Sequence, residues 1–269
     1  MSIDTLPPLR EVIRRFELSA RKSLGQNFLL DLNLTDRIAR AAGPLGDVDV
    51  VEIGPGPGGL TRALLANGAR SIVAVERDPR AAEAIRDLAV HFPGRLKVVE
   101  ADALDVAPRD LATAPFKIVA NLPYNIATPL LIRWLRNLEG VAGMTLMFQR
   151  EVADRLAAEP RTKAYGRLSV ITQWLCVVRP VFNLPKSAFT PPPKVTSTVV
   201  NLAPRSAPLA PAGFAELERV TQAAFGQRRK MLRASLKPLG IDPAASDIDP
   251  ARRAEELSVE EFCALARQL

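Results

Sequence analysis

The 269-residue sequence sets 36 Lys and Arg against 29 Asp and Glu, a formal net charge of +7, with 48% hydrophobic and 24% charged residues. This balance excludes a wholly disordered chain, and the length suffices for one large domain plus a smaller one. Cys176 and Cys263 stand far apart with no CxxC or Cys/His ligand spacing, so a disulfide scaffold and a structural zinc site are excluded and no metal is expected. Both cysteines read as small apolar packing residues. No apolar run approaches the roughly 18 residues that span a bilayer, and Asp4, Arg10, Glu11, Arg14 and Arg15 stand where a signal core would be. The expected compartment is the cytoplasm, with no membrane partner.

Leu9, Val12, Ile13 and Phe16 fall on one face of a short amphipathic lead-in helix, with Arg10, Arg14 and Arg15 turned away. From Asp49 onward, β-rich apolar runs alternate with helical patterns, which predicts a parallel sheet covered by helices. The expected strands are Val48 to Ile53, Ser71 to Glu76, Leu96 to Glu100, Lys117 to Ala120 and Met144 to Phe148; the helices between them are Leu60 to Ala66, Pro79 to Val90 and Pro129 to Asn137. Val177 to Phe182 and Thr196 to Leu202, separated by prolines at 185, 191, 192 and 193, read as two further strands that close the sheet. The Pro/Ala/Ser-biased stretch from Ala203 to Gly213 reads as a semi-extended linker, which sets a boundary between residues 1–204, a doubly wound α/β domain, and residues 205–269. Beyond it the pattern is helical: Phe214 to Phe225, Lys230 to Leu236, Pro250 to Glu255 and Glu260 to Leu269. Ser258 and Glu261 have the spacing of a capping box that starts the last helix.

Glu52-Ile53-Gly54-Pro55-Gly56-Pro57-Gly58-Gly59-Leu60 sits where the first strand turns into its helix. Gly54, Gly56 and Gly59 satisfy GxGxxG, and Glu76 follows about 20 residues later at a strand end, where a ribose-binding acid belongs. That pattern alone fits NAD, FAD or S-adenosylmethionine. The prolines separate them: a pyrophosphate is held by backbone N–H groups, and Pro55 and Pro57 each remove one. A ligand without phosphate, S-adenosylmethionine, tolerates the loss. Glu76 would accept from its ribose hydroxyls and Asp102 from its adenine amine, both at strand ends where open α/β sheets bind ligands. Each acid taken singly also fits a helix cap or a solvated loop.

Asn121-Leu122-Pro123-Tyr124 ends the fourth strand. An adenine amine is a poor nucleophile because its lone pair is delocalised into the ring. The Asn121 side-chain oxygen, with a backbone carbonyl of Leu122 or Pro123, could accept both amine hydrogens and localise that pair towards a sulfonium methyl. Tyr124 would stack on the base, and Phe189, in the proline-stiffened Ala188 to Val195 segment, is the candidate for the opposite face, with a hydrophobic plug as its ordinary reading. The base must leave its stack to reach such a site.

These motifs resemble the small-subunit ribosomal RNA adenine N6-dimethyltransferases. The likeness runs through Lys22-Ser23-Leu24-Gly25-Gln26-Asn27-Phe28-Leu29, Glu52 to Gly58, Val75-Glu76, Asp102-Ala103, Asn121 to Tyr124, Tyr165-Gly166-Arg167-Leu168-Ser169 and Phe189 to Val195. It implies a Rossmann-like methyltransferase domain and a small all-α C-terminal domain that use S-adenosylmethionine to dimethylate two adjacent adenosines near the 3′ end of 16S rRNA in the small ribosomal subunit; the chain is expected to act as a monomer. Carried over by motif, Asn27, Leu29, Gly54, Gly56, Glu76, Asp102 and Asn121 would line the cofactor pocket. Asn27 and Leu29 rest on the motif alone, since the residues themselves suggest a helix cap and a core leucine. The extension before Lys22 is left without a role. Two other functions stay open: methylation of a large-subunit adenine of the antibiotic-resistance type, and a non-catalytic RNA-binding assembly or transcription factor on the same fold.

Arg228, Arg229, Lys230, Arg233 and Lys237 form an acid-free basic cluster. On one helix, residues 229, 230, 233 and 237 would share a broad face suited to RNA phosphates, with Arg21, Lys22, Arg150 and Lys194 as possible extensions. A solvated helix face is the plain alternative. His91, the lone histidine, reads as a loop residue.

Overall fold

A computed structural model describes residues 5–20, 25–227 and 229–269. Arg21, Lys22 and Arg228 lie outside the described residues. The described chain forms two compact units: residues up to Arg150 together with Pro180–Leu202, and Glu151–Arg179 together with Ala203–Leu269.

The first unit opens with helix α1 (Leu9–Arg15), whose Leu9 and Val12 are buried as the apolar spacing predicts. A two-residue strand, β1 (Phe28–Leu29), precedes α2 (Leu32–Ala41), which starts where Asp31 accepts hydrogen bonds from the Asn33 and Leu34 amides. Then β2 (Asp49–Ile53), α3 (Gly59–Ala66), β3 (Ser71–Glu76), α4 (Pro79–Val90), β4 (Leu96–Glu100), β5 (Phe116–Ala120), α5 (Tyr124–Leu135) and β6 (Val141–Gln149) follow in alternation. β2 is buried at every position, and β2–β3, β3–β4, β2–β5 and β5–β6 all pair in parallel. Such strands must be apolar on both faces, which is why they read as continuous runs.

The sheet order is β4-β3-β2-β5-β6-β9-β7, with β7 (Cys176–Leu184) and β9 (Ser197–Pro204) at the far edge and β9 antiparallel to β6. The chain winds outward from β2 on one side and returns through β5 on the other. The reversal between β2 and β5 opens a crevice at their carboxyl ends, where α/β sheets bind ligands. A separate pair joins β1 to β8 (Phe189–Thr190), with Leu29 opposite Phe189. The long fifth helix begins at Tyr124 and carries Pro129 in its interior, so the expected start at Pro129 is five residues late. Pro123 caps it, and Pro129, its sixth residue, has no N–H to give to the carbonyl four residues back.

In the second unit, α6 (Arg150–Leu156) leads to α7 (Arg167–Leu175), and α8 (Phe214–Gly226), α9 (Leu232–Ser235) and α10 (Val259–Ala266) follow the linker. Aromatic contacts tie these helices together: Tyr165 meets Phe225 at 5.9 Å, Phe225 meets Phe262 at 5.3 Å and Trp174 meets Phe214 at 6.0 Å. This packing places residues 151–179 with the tail, so the single boundary at 205 does not describe the division. The stretch after Ala203 is also pinned: the Arg205 amide donates to the Leu175 carbonyl, the Leu209 amide to the Trp174 carbonyl, and the Trp174 indole to the Ala210 carbonyl. The Ser258 hydroxyl accepts from the Glu261 amide while the Glu261 carboxylate accepts from the Ser258 amide, the expected capping box. Cys176 and Cys263 are free and buried.

Candidate functional site

The β2–β5 crevice holds a cavity lined by the glycine loop, the strand-end acids and the Asn121 to Tyr124 segment, together with Gly25 to Leu29 from the chain's beginning. Asn27, Leu29, Gly54, Gly56, Glu76, Asp102, Asn121, Leu122, Pro123 and Tyr124 all line it. Ten sequence-predicted positions drawn from separate stretches therefore converge on one space.

The loop is shaped by backbone that only glycine accepts easily. Gly56 has φ of +54°, and a Cβ there would sit 3.2 Å from the Phe28 ring. Its amide donates to Glu76 Oε2 at 3.2 Å, while Glu76 Oε1 accepts from the Arg77 and Asp78 amides at 2.8 and 2.9 Å. Burial raises the Glu76 carboxyl above its ordinary value, opposed by these three amides. Asp102 accepts from the Leu104 amide at 2.9 Å and pairs with Arg77 at 2.9 Å at the rim.

Asn121 is fixed from a distance. Its Nδ2 donates to the Asn27 backbone carbonyl at 3.3 Å, which assigns the amide nitrogen to that side and leaves the side-chain oxygen to face other donors. Two neighbouring carbonyls offered themselves as its companion acceptor. Pro123's accepts from the Ile126 and Ala127 amides, both at 3.1 Å, so α5 already occupies it. Leu122's is the one the helix does not use. Tyr124, the first residue of α5, is half-buried on the cavity wall, and its hydroxyl lies 2.6 Å from Ser197 Oγ.

Phe189 is placed otherwise. At 2% exposure it fills the core beneath the sheet beside Leu29, Leu184 and Val199, and it is not among the residues that line the cavity. The β1–β8 pairing holds it there, which matches its ordinary reading as a plug and gives it no open face for a base. His91 caps the end of α4, also away from the cavity.

The model of the ribosomal RNA adenine dimethylase family matches residues 17–269. The chain belongs to that family. A small-subunit ribosomal RNA methyltransferase A of Rhodospirillum rubrum is 62% identical over 267 residues, covering 98% of this chain and 93% of the relative. The one from Rhizobium meliloti is 58% identical over 275 residues, covering 100% and 99%. Among solved structures, a dimethyladenosine transferase from Plasmodium falciparum superposes with a TM-score of 0.75 at 26% identity, over 87% of this chain and 94% of that one. The 23S rRNA methyltransferase ErmE gives 0.69 at 31% identity, over 90% and 99%.

In this adenine dimethylase a further cavity residue carries an ionisable group. Glu52, at 1% exposure, lines the cavity with neither carboxyl oxygen hydrogen-bonded to any described residue. Burial pushes its pKa up to about 8, opposed by the nearby Thr61 hydroxyl and reinforced by the Glu76 carboxylate. The available signal was an acid set among Val50, Val51 and Ile53, two residues before Gly54.

The basic cluster departs from its expected geometry. α8 ends at Gly226 and α9 spans only Leu232–Ser235, so Arg229 and Lys230 precede α9, Arg233 lies on it and Lys237 opens a following 3-10 turn. No single helix face carries them. All four are exposed. Among the described residues no cluster of His, Cys, Asp and Glu suits a metal ion, and no helix is long and apolar enough to cross a membrane.

Proposed function

We propose that this protein dimethylates the exocyclic N6 amines of two adjacent adenosines near the 3′ end of small-subunit rRNA, using S-adenosylmethionine, during small-subunit maturation in the cytoplasm. When bound, S-adenosylmethionine supplies a methyl on cationic sulfur; each transfer breaks that S–C bond, forms one N6–C bond and releases one amine proton. The residues present fit this group. Glu52 offers an unpartnered buried carboxyl to the ammonium of its amino-acid head. Glu76 and Asp102 retain lone pairs for ribose hydroxyls and the adenine amine. Pro55 and Pro57 line the loop without amide donors, which suits a phosphate-free ligand.

The observation that carries the reading is the tether on Asn121. Because its amide nitrogen is bonded to Asn27, its oxygen is the part that meets an incoming amine. That oxygen and the Leu122 carbonyl hold the two N6 hydrogens in the first transfer, one of them holds the single remaining hydrogen in the second, and the lone pair is turned outward each time, so rate comes from orientation and fixed dipoles rather than a strong base. Tyr124 holds the extruded base by stacking. Arg229, Lys230, Arg233 and Lys237 supply exposed positive charge for RNA phosphates.

The Asn121→Ala variant tests this on undermethylated small subunits. It should retain cofactor binding and lose about 10²- to 10³-fold in methyl transfer, the cost of removing one preorganised group. Near-normal turnover would falsify the mechanism. The ErmE likeness raises a large-subunit substrate, but at 31% identity it weighs less than relatives at 62% named for the small subunit. A purely RNA-binding role leaves the intact Asn121 to Tyr124 constellation without purpose.

A further inference from the structure

Ser197 belongs to no motif element assigned above, yet it reaches the site. It opens β9 opposite Gln149 of β6 and is fully buried at 0% exposure, and its hydroxyl is the partner of the Tyr124 phenol at 2.6 Å. A tyrosine ring at the first position of a helix is free to turn about its side-chain bonds unless something holds its far end. Here the far end is held by a group on a different element. The bond is short and largely removed from water, the setting in which a hydroxyl pair is most directional.

We propose that Ser197 is a positioning residue which fixes the Tyr124 ring plane through the 2.6 Å hydroxyl–hydroxyl bond, and so keeps the target adenine in place between the first and the second methyl transfer. The proposal rests on the reading that Tyr124 stacks on the base. Dimethylation demands that one nitrogen be presented twice, with a spent cofactor replaced in between. A ring locked at both ends presents the same stacking plane before and after the first transfer. A ring held only at its backbone end turns, and the singly methylated base then has more opportunity to leave.

The test compares Ser197→Ala, Tyr124→Phe, the two combined, and Tyr124→Ala, as full chains on undermethylated small ribosomal subunits, with mono- and dimethylated adenosine counted by mass analysis of digested RNA. Ser197→Ala and Tyr124→Phe should each raise KM for the subunit about fivefold, the scale of one neutral hydrogen bond, and raise the mono- to dimethyl ratio. S-adenosylhomocysteine titration should give an unchanged Kd. The combined variant should be no worse than the poorer single one, because both remove the same bond. A drop in thermal stability with KM and product ratio at wild-type values would make the bond merely structural and overturn the proposal, as would single effects that multiply in the combined variant. Inactive Tyr124→Ala beside a normal Ser197→Ala overturns the positioning role alone. Near-wild-type transfer by Tyr124→Ala overturns the stacking reading and the proposal with it. Should Ser197→Ala fail to fold, Tyr124→Phe carries the same readouts.

Discussion

Replacing Glu52 with glutamine keeps the size of the side chain and removes its charge, so the variant separates what the carboxyl costs the fold from what it does for the cofactor. In the folded protein the group stays protonated up to about pH 8, whereas in the unfolded chain it releases its proton near the ordinary value of 4.5. Between those two values the folded state binds more protons than the unfolded one, so wild-type stability falls as pH rises. The contribution is fully present below pH 4.5. At about 1.4 kcal/mol per pH unit the loss reaches about 3 kcal/mol at pH 7 and about 4 kcal/mol at pH 8, and levels off near about 5 kcal/mol above that. The Glu52→Gln variant carries no such loss. Without cofactor it should match wild type near pH 4.5 and exceed it increasingly towards pH 8 in urea denaturation.

Binding should run the other way. A cationic ammonium favours the ionised carboxyl, so wild-type affinity for S-adenosylhomocysteine, which carries the same amino-acid head, should rise with pH until about 8. The variant should show no such rise and bind about tenfold more weakly at pH 8, the scale of one charge-assisted hydrogen bond. Calorimetric titration at matched pH reads both. Parallel stability curves for the two proteins would refute the claim that the folded carboxyl is protonated. Equal affinities across the range would refute the pairing with an ammonium.

Two further changes probe the loop and the tail. Gly56→Ala forces a side chain into a positive-φ position and against the Phe28 ring, a strain of about 1–2 kcal/mol, so cofactor affinity should fall roughly tenfold in the same titration; an unchanged Kd would mean the loop keeps this conformation without needing glycine. Changing Arg229, Lys230, Arg233 and Lys237 together to glutamine should flatten the dependence of log K for subunit RNA on log salt by about 3, from four lost phosphate contacts. A slope that does not move would leave these residues as plain solvated charge.

The parallel sheet was legible because burial on both faces demands long apolar runs, and the last helix because Ser258 and Glu261 mark its start locally. The parts that escaped depend on partners distant in sequence. Two-residue strands have no periodicity to read, so the β1–β8 pair that buries Phe189 left no trace beyond its apolar residues. Residues 151–179 read as a continuation of the sheet domain because nothing local says that α7 buries its face against α8 and α10. The basic residues looked like one helical face, but α9 lasts only four residues before Lys237 and Pro238 tighten the chain into a 3-10 turn.

The candidate site shows the same division between local and distant causes. Glycine, proline and the strand-end acids announce themselves by type, since each has few reasons to stand at a strand-to-helix turn. Asn27 does not, because the atom that matters is its backbone carbonyl, which any residue would supply; it orients an amide 94 positions later. The conformation that presents this carbonyl is held partly by its own side chain, whose Nδ2 donates to the Gly25 carbonyl at 3.2 Å. Phe28, next to it, packs on Gly56 and on Val12 and Leu18 of the N-terminal extension, so the segment that seats Asn121 is itself seated by residues on both sides of the family's first matched position. The extension before Lys22, which has no chemistry of its own in the sequence, thereby acquires a mechanical one: its Val12 and Leu18 pack on Phe28, the neighbour of the residue whose backbone carbonyl holds the amide of Asn121.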